Sequence, residues 1–132
     1  FVTSGDLPLL DGNIVKQIVD TVNYDKIWTI IVTTKSFQKS LNLEPECIVH
    51  FNDQDYVHTG ITIVNSSKIN NLDTVEEDYL VIDDKRVCLN INTKNDLITI
   101  NKLAKINNIS FSSKAKEIIK IKLKTLKSKE NI

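Results

Sequence analysis

The chain opens on three residues with strand character, Phe1, Val2 and Thr3, and then breaks at Ser4-Gly5-Asp6-Leu7-Pro8, where Gly and Pro stop the strand. Beyond Asp11 the apolar positions Ile14, Val15, Ile18, Val19 and Val22 recur at helical spacing. The pattern predicts an amphipathic helix of about three turns, started by Asp11 and laid over one face of a sheet. Ile27 to Thr33 is a β-branched apolar run, too dense for simple alternation, which predicts a central strand buried on both faces. Ser36 to Leu43 predicts a short helix with Phe37 and Leu41 inward, ended by Pro45.

Glu46 to Phe51 and Val57 to Val64 read as two further strands around the polar stretch Asn52-Asp53-Gln54-Asp55, a hairpin-like signal. Ser66 to Asn71 reads as one short helix and Leu72 to Glu77 as an acidic surface loop. Tyr79 to Ile82 reads as a strand, Asp83-Asp84 as a turn, and Val87 to Ile91 as a last core strand. Asn92-Thr93 then hands over to a helix through about Asn107, with Leu97, Ile100, Leu103, Ala104 and Ile106 at its apolar positions. In the tail, Ile119, Ile121 and Leu123 alternate with lysine, while Ala115, Ile118, Ile119 and Leu126 fit a helix, the reading preferred here. Strands alternating with helices predict an α/β domain rather than a helical bundle or a β-sandwich.

A length of 132 residues suits about one domain. Lys plus Arg and Asp plus Glu both total 17, which removes any global field for nucleic acid or an anionic membrane. The charge is uneven: Lys114 to Ile132 holds seven lysines against Glu117 and Glu130, a net of +5, and the remainder carries −5. Such a tail can meet nucleic acid or anionic lipid, but a solvated lysine face is the preferred reading, in keeping with the neutral overall charge. Cys47 and Cys88 stand apart with no zinc spacing, which fits reduced thiols and a cytoplasmic setting. No apolar run reaches the roughly 20 residues of a membrane span. The start at Phe1 and the absence of Met point to a fragment, a processed product or one part of a longer chain.

Three segments carry candidate chemistry. Asp6 lies at the end of a strand, the edge beyond which ligands gather in open α/β sheets, although Gly-Asp also closes ordinary turns. In Leu89-Asn90-Ile91-Asn92-Thr93, strand alternation puts Asn90 and Asn92 on one face, where an amide oxygen suits Mg²⁺. Helix capping by Asn92 or Thr93 explains the same residues. Tyr56-Val57-His58-Thr59-Gly60 sets a Gly inside a strand pattern, which permits close approach of a ligand or marks a bulge. No Ser/His/Asp or Cys/His arrangement and no phosphate-cradling glycine loop is present, so covalent catalysis has little support.

In this order, Ser-Gly-Asp-Leu-Pro-Leu-Leu, a strand carrying Thr-Gly-Ile, and Asn-Ile-Asn-Thr before an acid-Leu helix start, the chain resembles the MobA-like nucleotidyltransferases. The likeness is greatest to the archaeal type of GTP:adenosylcobinamide-phosphate guanylyltransferase, with molybdenum cofactor guanylyltransferase close behind. It implies a Rossmann-like mixed sheet flanked by helices over residues 1–110, with 111–132 as a basic C-terminal tail. It also implies transfer of a nucleoside monophosphate, GMP from GTP, to a phosphorylated acceptor, by in-line attack on the α-phosphorus. By the same resemblance Asp6 is the metal-binding and catalytic acid and Asn92 the amide ligand of Mg²⁺. Leu7 and Pro8, in the motif of Asp6, together with Asn90, His58, Thr59 and Gly60, would contact substrate. His58 stands where related members often carry Asn, which bears on the acceptor.

Members of that family begin with a strand and a Gly-rich loop bearing Arg and Lys, absent from this sequence, so the chain would be a C-terminal portion lacking its N-terminal strands. Catalysis would then require that portion in the same or another chain, with a homo-oligomer as a further arrangement. Two other classes remain open: a non-catalytic binding or assembly module without the nucleotide loop, and, third, a nucleic-acid binder recognised by steep salt dependence.

Overall fold

The computed structural model describes residues 1–70, 76–106, 111 and 113–130. It is an α/β fold built on an open five-stranded mixed sheet flanked by helices. Strands β1 (Val2–Thr3), β2 (Trp28–Thr34), β3 (Ile48–Phe51), β4 (Gln54–Val64) and β5 (Glu77–Val81) run in the order β1-β4-β2-β5, with β3 beside the first half of β4. Only β2 and β5 are parallel; β1, β2 and β3 all meet β4 antiparallel.

The central place of β2 follows from its composition. Ile30, Ile31 and Val32 are buried, and their β-branched side chains fill both faces of the pleat. On one face Ile31, Ile61 and Ile63 pack against Ile14 and Ile18 of α1 (Gly12–Thr21) and against Val22 at its C-cap. Asp11 caps that helix by accepting from the Ile14 N–H at 2.9 Å. On the other face Ile30, Val32 and Tyr56 are closed over by Trp28 and by Phe51, whose ring stacks on Tyr56 and Tyr79. Asn52 and Asp53, with φ of 49° and 58°, form the two-residue turn between β3 and β4, which matches the right-handed twist of a hairpin.

The largest difference from the sequence reading falls on Val87 to Ile91, which is no strand. Asp84 accepts from the Arg86 N–H at 2.8 Å and starts a single helical turn, α3 (Lys85–Cys88), and residues 89–93 follow without regular structure. Val87 joins the core under α1, while Cys88, Leu89 and Ile91 join a second core with Leu97 and Ile100 of α4 (Lys94–Ile106). These apolar residues found burial without sheet pairing. The Arg86 guanidinium beside Asp84 holds that carboxyl below its ordinary value, and it also reaches Asp11 at 3.5 Å, tying α3 to the start of α1.

Smaller shifts concern ends. Helix α2 (Lys35–Ser40) stops before Asn42, whose φ is 57°, not at Pro45. Ser66–Lys68 is a single 3₁₀ turn, shorter than the helix expected to Asn71. Positions 71–75, with most of the expected acidic loop, lie outside the described residues, as do 107–110. The lysine-rich segment forms α5 (Ser113–Glu130), and Ile119 and Leu123 pack it against the second core. No described helix is long and apolar enough to cross a membrane.

Candidate functional site

Two extra residues in β4 shape the site. Ile31 of β2 pairs with Ile61 and the next residue, Val32, pairs with His58, so Thr59 and Gly60 bulge from the ladder. Several polar groups at this bulge bond outside the ladder. The buried Thr59 hydroxyl donates to the Ile31 carbonyl at 2.7 Å and accepts from the Ile61 N–H at 3.3 Å. The Gly60 N–H donates to Nδ1 of His58 at 2.8 Å, and the Gly60 carbonyl accepts from the Ser4 N–H at 3.0 Å. Accepting at Nδ1 places the proton of the neutral imidazole on Nε2. Burial lowers the His58 pKa, opposed by the nearby Glu77 charge, so the ring is neutral at pH 7.

The bulge forms one wall of a cavity of about 390 Å³. Val57, His58 and Thr59 line it from β4, Gln38 and Asn42 from the end of α2, and Glu44, Glu46 and Cys47 from the loop that follows. Cys88, Asn90, Asn92 and the first residues of α4 also line it. Four residues singled out from the sequence, His58, Thr59, Asn90 and Asn92, therefore share one cavity. Asn90 and Asn92 reach it from an irregular segment, not by strand alternation. Thr93 and Asp96 perform the capping: Thr93 Oγ1 accepts from the Asp96 N–H, and the Asp96 carboxylate accepts from the Asn92 and Thr93 N–H groups at 3.0 and 2.7 Å. The side-chain amides of Asn90 and Asn92 carry no hydrogen bond among the described residues.

Gln38, Asn42, Glu44, Glu46 and Asn95 were not singled out from the sequence. Gln38 is the informative one, because it is only 6 % exposed and yet lines the cavity. A polar residue between the inward positions Phe37 and Leu41 was the available signal. Among the described residues the lining holds no Lys or Arg.

Asp6, Leu7, Pro8 and Gly60 do not line this cavity. Leu7 is a core residue beneath α1, and it shares with Pro8 a smaller cavity of about 110 Å³ that Lys114, Ala115 and Ile118 of α5 cover. Gly60 is held by its own geometry: φ is 84°, and a Cβ there would lie 2.7 Å from Ser4 Oγ. Asp6 follows β1, and its backbone carbonyl accepts from the Ile91 N–H at 3.2 Å, one residue before Asn92. Its Oδ2 lies 3.5 Å from Lys122 Nζ, and its buried Oδ1 has no partner.

An under-coordinated carboxylate oxygen beside a segment bearing free amides suits a hard divalent cation, which takes oxygen donors and few protein ligands when phosphate supplies the rest. Of the two residues expected as Mg²⁺ ligands, Asn92 lines the larger cavity and Asp6 does not. Among the described residues no three His, Cys, Asp or Glu side chains gather to hold a metal, so such a site depends on oxygens from substrate and water. Comparison with protein-family models, with curated proteins and with solved structures gives no match for this chain.

Proposed function

We propose that this chain is the acceptor-side portion of a MobA-like nucleotidyltransferase, which transfers GMP from GTP to a phosphorylated acceptor such as adenosylcobinamide phosphate, or to the molybdenum cofactor. The observation that carries the reading is the Asp6–Ile91 backbone bond. It sets an under-coordinated carboxylate beside the segment whose Asn90 and Asn92 line one cavity with His58 and Thr59.

In this reading Asp6 and Asn92 hold Mg²⁺, which when bound neutralises the charge that develops in phosphoryl transfer. The bulge keeps Thr59 and His58 rigid in the cavity wall, so the acceptor is positioned without reorganisation of that strand. Gln38, Asn90 and the neutral His58 offer the acceptor hydrogen bonds and no positive charge, so they grip its uncharged part. The phosphate lies towards Asp6. Val2 on the outer strand β1 and Phe1 before it are 59 % and 46 % exposed, an open edge at which nucleotide-binding strands from the same or another polypeptide would add.

The test is pyrophosphate release by the whole gene product with GTP, Mg²⁺ and acceptor, and Asp6→Ala is expected to abolish it. Undiminished turnover in that variant removes Asp6 from the chemistry. A second reading, a non-catalytic binding module, draws on the absence of Lys and Arg from the cavity lining. A stable complex with another protein and no pyrophosphate release from any nucleoside triphosphate would select it.

A further inference from the structure

Helix α5 is anchored to the domain by one side. Ala115 is buried, and Ile119 and Leu123 pack against the second core, so the apolar side of the helix is already covered. On the other side Lys116, Lys120, Lys124 and Lys127 are all exposed. At 3.6 residues per turn and 1.5 Å per residue, these four fall within an arc of about 80° and form a row about 17 Å long, with successive positions about 6 Å apart.

The row lacks counter-charge. Of the seven lysines in α5, Lys122 on the inner side is the one with a carboxylate partner among the described residues, Asp6 at 3.5 Å. Glu117 borders the row and enters no ion pair among those residues. Like charges three and four residues apart repel along a helix, so the row costs α5 stability. Acids to offset it exist, since residues 1–113 carry a net −5, yet their ion pairs are formed with other cations. Solvation accounts for lysines mixed with acids; a segregated row that repels itself is relieved by a polyanion.

The same face discriminates between polyanions. A helix that lies in a membrane surface buries its apolar side in lipid. In α5 that side is taken by the second core, and Ile121, 56 % exposed, is the one large exposed hydrophobic residue of the helix. Proteins of single strands stack bases on aromatic rings, and α5 contains no aromatic residue. A straight row of ammonium groups without rings matches the phosphodiester backbone of a duplex, which carries a charge for about every 1.7 Å of axis.

On these grounds we propose that the outer face of α5 docks the backbone of a nucleic-acid duplex through Lys116, Lys120, Lys124 and Lys127, without reading its sequence. The neutral overall charge gives little long-range steering, so the attraction acts within about a Debye length of the row. This surface stands apart from the cavity lined by His58, Thr59, Asn90 and Asn92, and the proposal does not depend on the nucleotidyltransferase reading.

The test is fluorescence anisotropy of a labelled DNA duplex of about 20 base pairs, titrated with this chain from about 50 to 200 mM NaCl. Four phosphate contacts predict a slope of log K against log[NaCl] of about −3.5. Lys120→Gln/Lys124→Gln removes two contacts, so the slope is expected to halve and the affinity at low salt to fall about tenfold or more. Lys16→Gln, an exposed lysine of α1, changes neither quantity. Glutamine keeps the helix propensity of lysine, and circular dichroism of each variant reports whether α5 stays folded.

No binding of the duplex at low salt, or a slope that the double variant leaves unchanged, overturns the proposal. Tighter binding to vesicles containing phosphatidylserine, lost in Ile121→Ser, assigns the face to a membrane and overturns it as well. Tighter binding of a single strand of the same length also does so.

Discussion

Ser4 and Gly60 meet backbone to backbone, the Ser4 N–H donating to the Gly60 carbonyl at 3.0 Å, and Ser4 Oγ lies 2.7 Å from where a Cβ on Gly60 would stand. This contact joins the turn bearing Asp6 to the bulge bearing His58 and Thr59, so the two halves of the candidate site share one hinge point. Gly60→Ala meets two penalties there, a φ of 84° that an L side chain resists and the collision with Ser4. The expected loss is about 1–3 kcal/mol in a urea unfolding experiment. Ser4→Gly in the same background relieves only the collision, so it should recover part of the loss. Full recovery would show that the backbone angle costs nothing.

Asp83 fastens the end of β2 to the chain leaving β5. Its carboxylate accepts from the Thr33 hydroxyl at 2.7 Å and from the Thr34 N–H and hydroxyl, both at 2.8 Å. Thr33 is fully buried, so Asp83→Ala strands a hydroxyl away from water. We expect a destabilisation of about 2–3 kcal/mol, and a smaller one for Asp83→Asn, which keeps one acceptor oxygen. Equal stability of Asp83→Ala and wild type would mean that solvent reaches Thr33.

These cases show which features were legible in the sequence. The strand of Ile30, Ile31 and Val32 declared itself through β-branched density, and α1 through Asp11 and the spacing of Ile14 and Ile18, because propensity, cap and burial agree there. Val87 to Ile91 misled because a short apolar run fits a strand or an irregular buried segment equally, and only Asp84 with Arg86 two residues on marked a helix start. His58, Thr59, Asn90 and Asn92, which line one cavity, stood out in the sequence because polar groups interrupt apolar runs. Gln38 did not, because its place in the lining depends on which face of α2 the rest of the chain covers, a non-local outcome. The order β1-β4-β2-β5 was hidden for the same reason.

His58 gives a pH dependence of defined sign. Burial lowers its pKa from the ordinary 6.5, and Nδ1 is engaged as an acceptor for the Gly60 N–H, a role that protonation destroys. The unfolded chain therefore takes up the proton more readily than the folded one. The contribution is fully present above about pH 6.5 and is lost as pH falls from there through the lowered folded value. His58→Asn keeps an oxygen acceptor near the Gly60 N–H and removes the titration. Urea midpoints from pH 7.5 down to 5 should slope downward in the wild type and flatten in the variant. The same slope in both would assign it to another group.

The two thiols provide a direct probe of the cavity, because both line it in opposite states. Cys47 is exposed, while Cys88 is 3 % exposed and its thiol is pushed up to about 12 by burial and then by the Asp84 charge. The thiolate is the reactive form, so Cys88 is inert at pH 8 in the folded protein. A disulfide reagent should titrate one thiol rapidly in native conditions and two in denaturant, and Cys47→Ser should remove the rapid phase. Cys47 lines the same cavity as Asn90 and Asn92, so an acceptor bound there is expected to shield it. A saturating acceptor is therefore expected to slow Cys47 modification severalfold, while urea stability fixes how far general tightening contributes. Modification at an unchanged rate under saturating acceptor would place the acceptor elsewhere on the molecule, and with it the part assigned to His58 and Thr59.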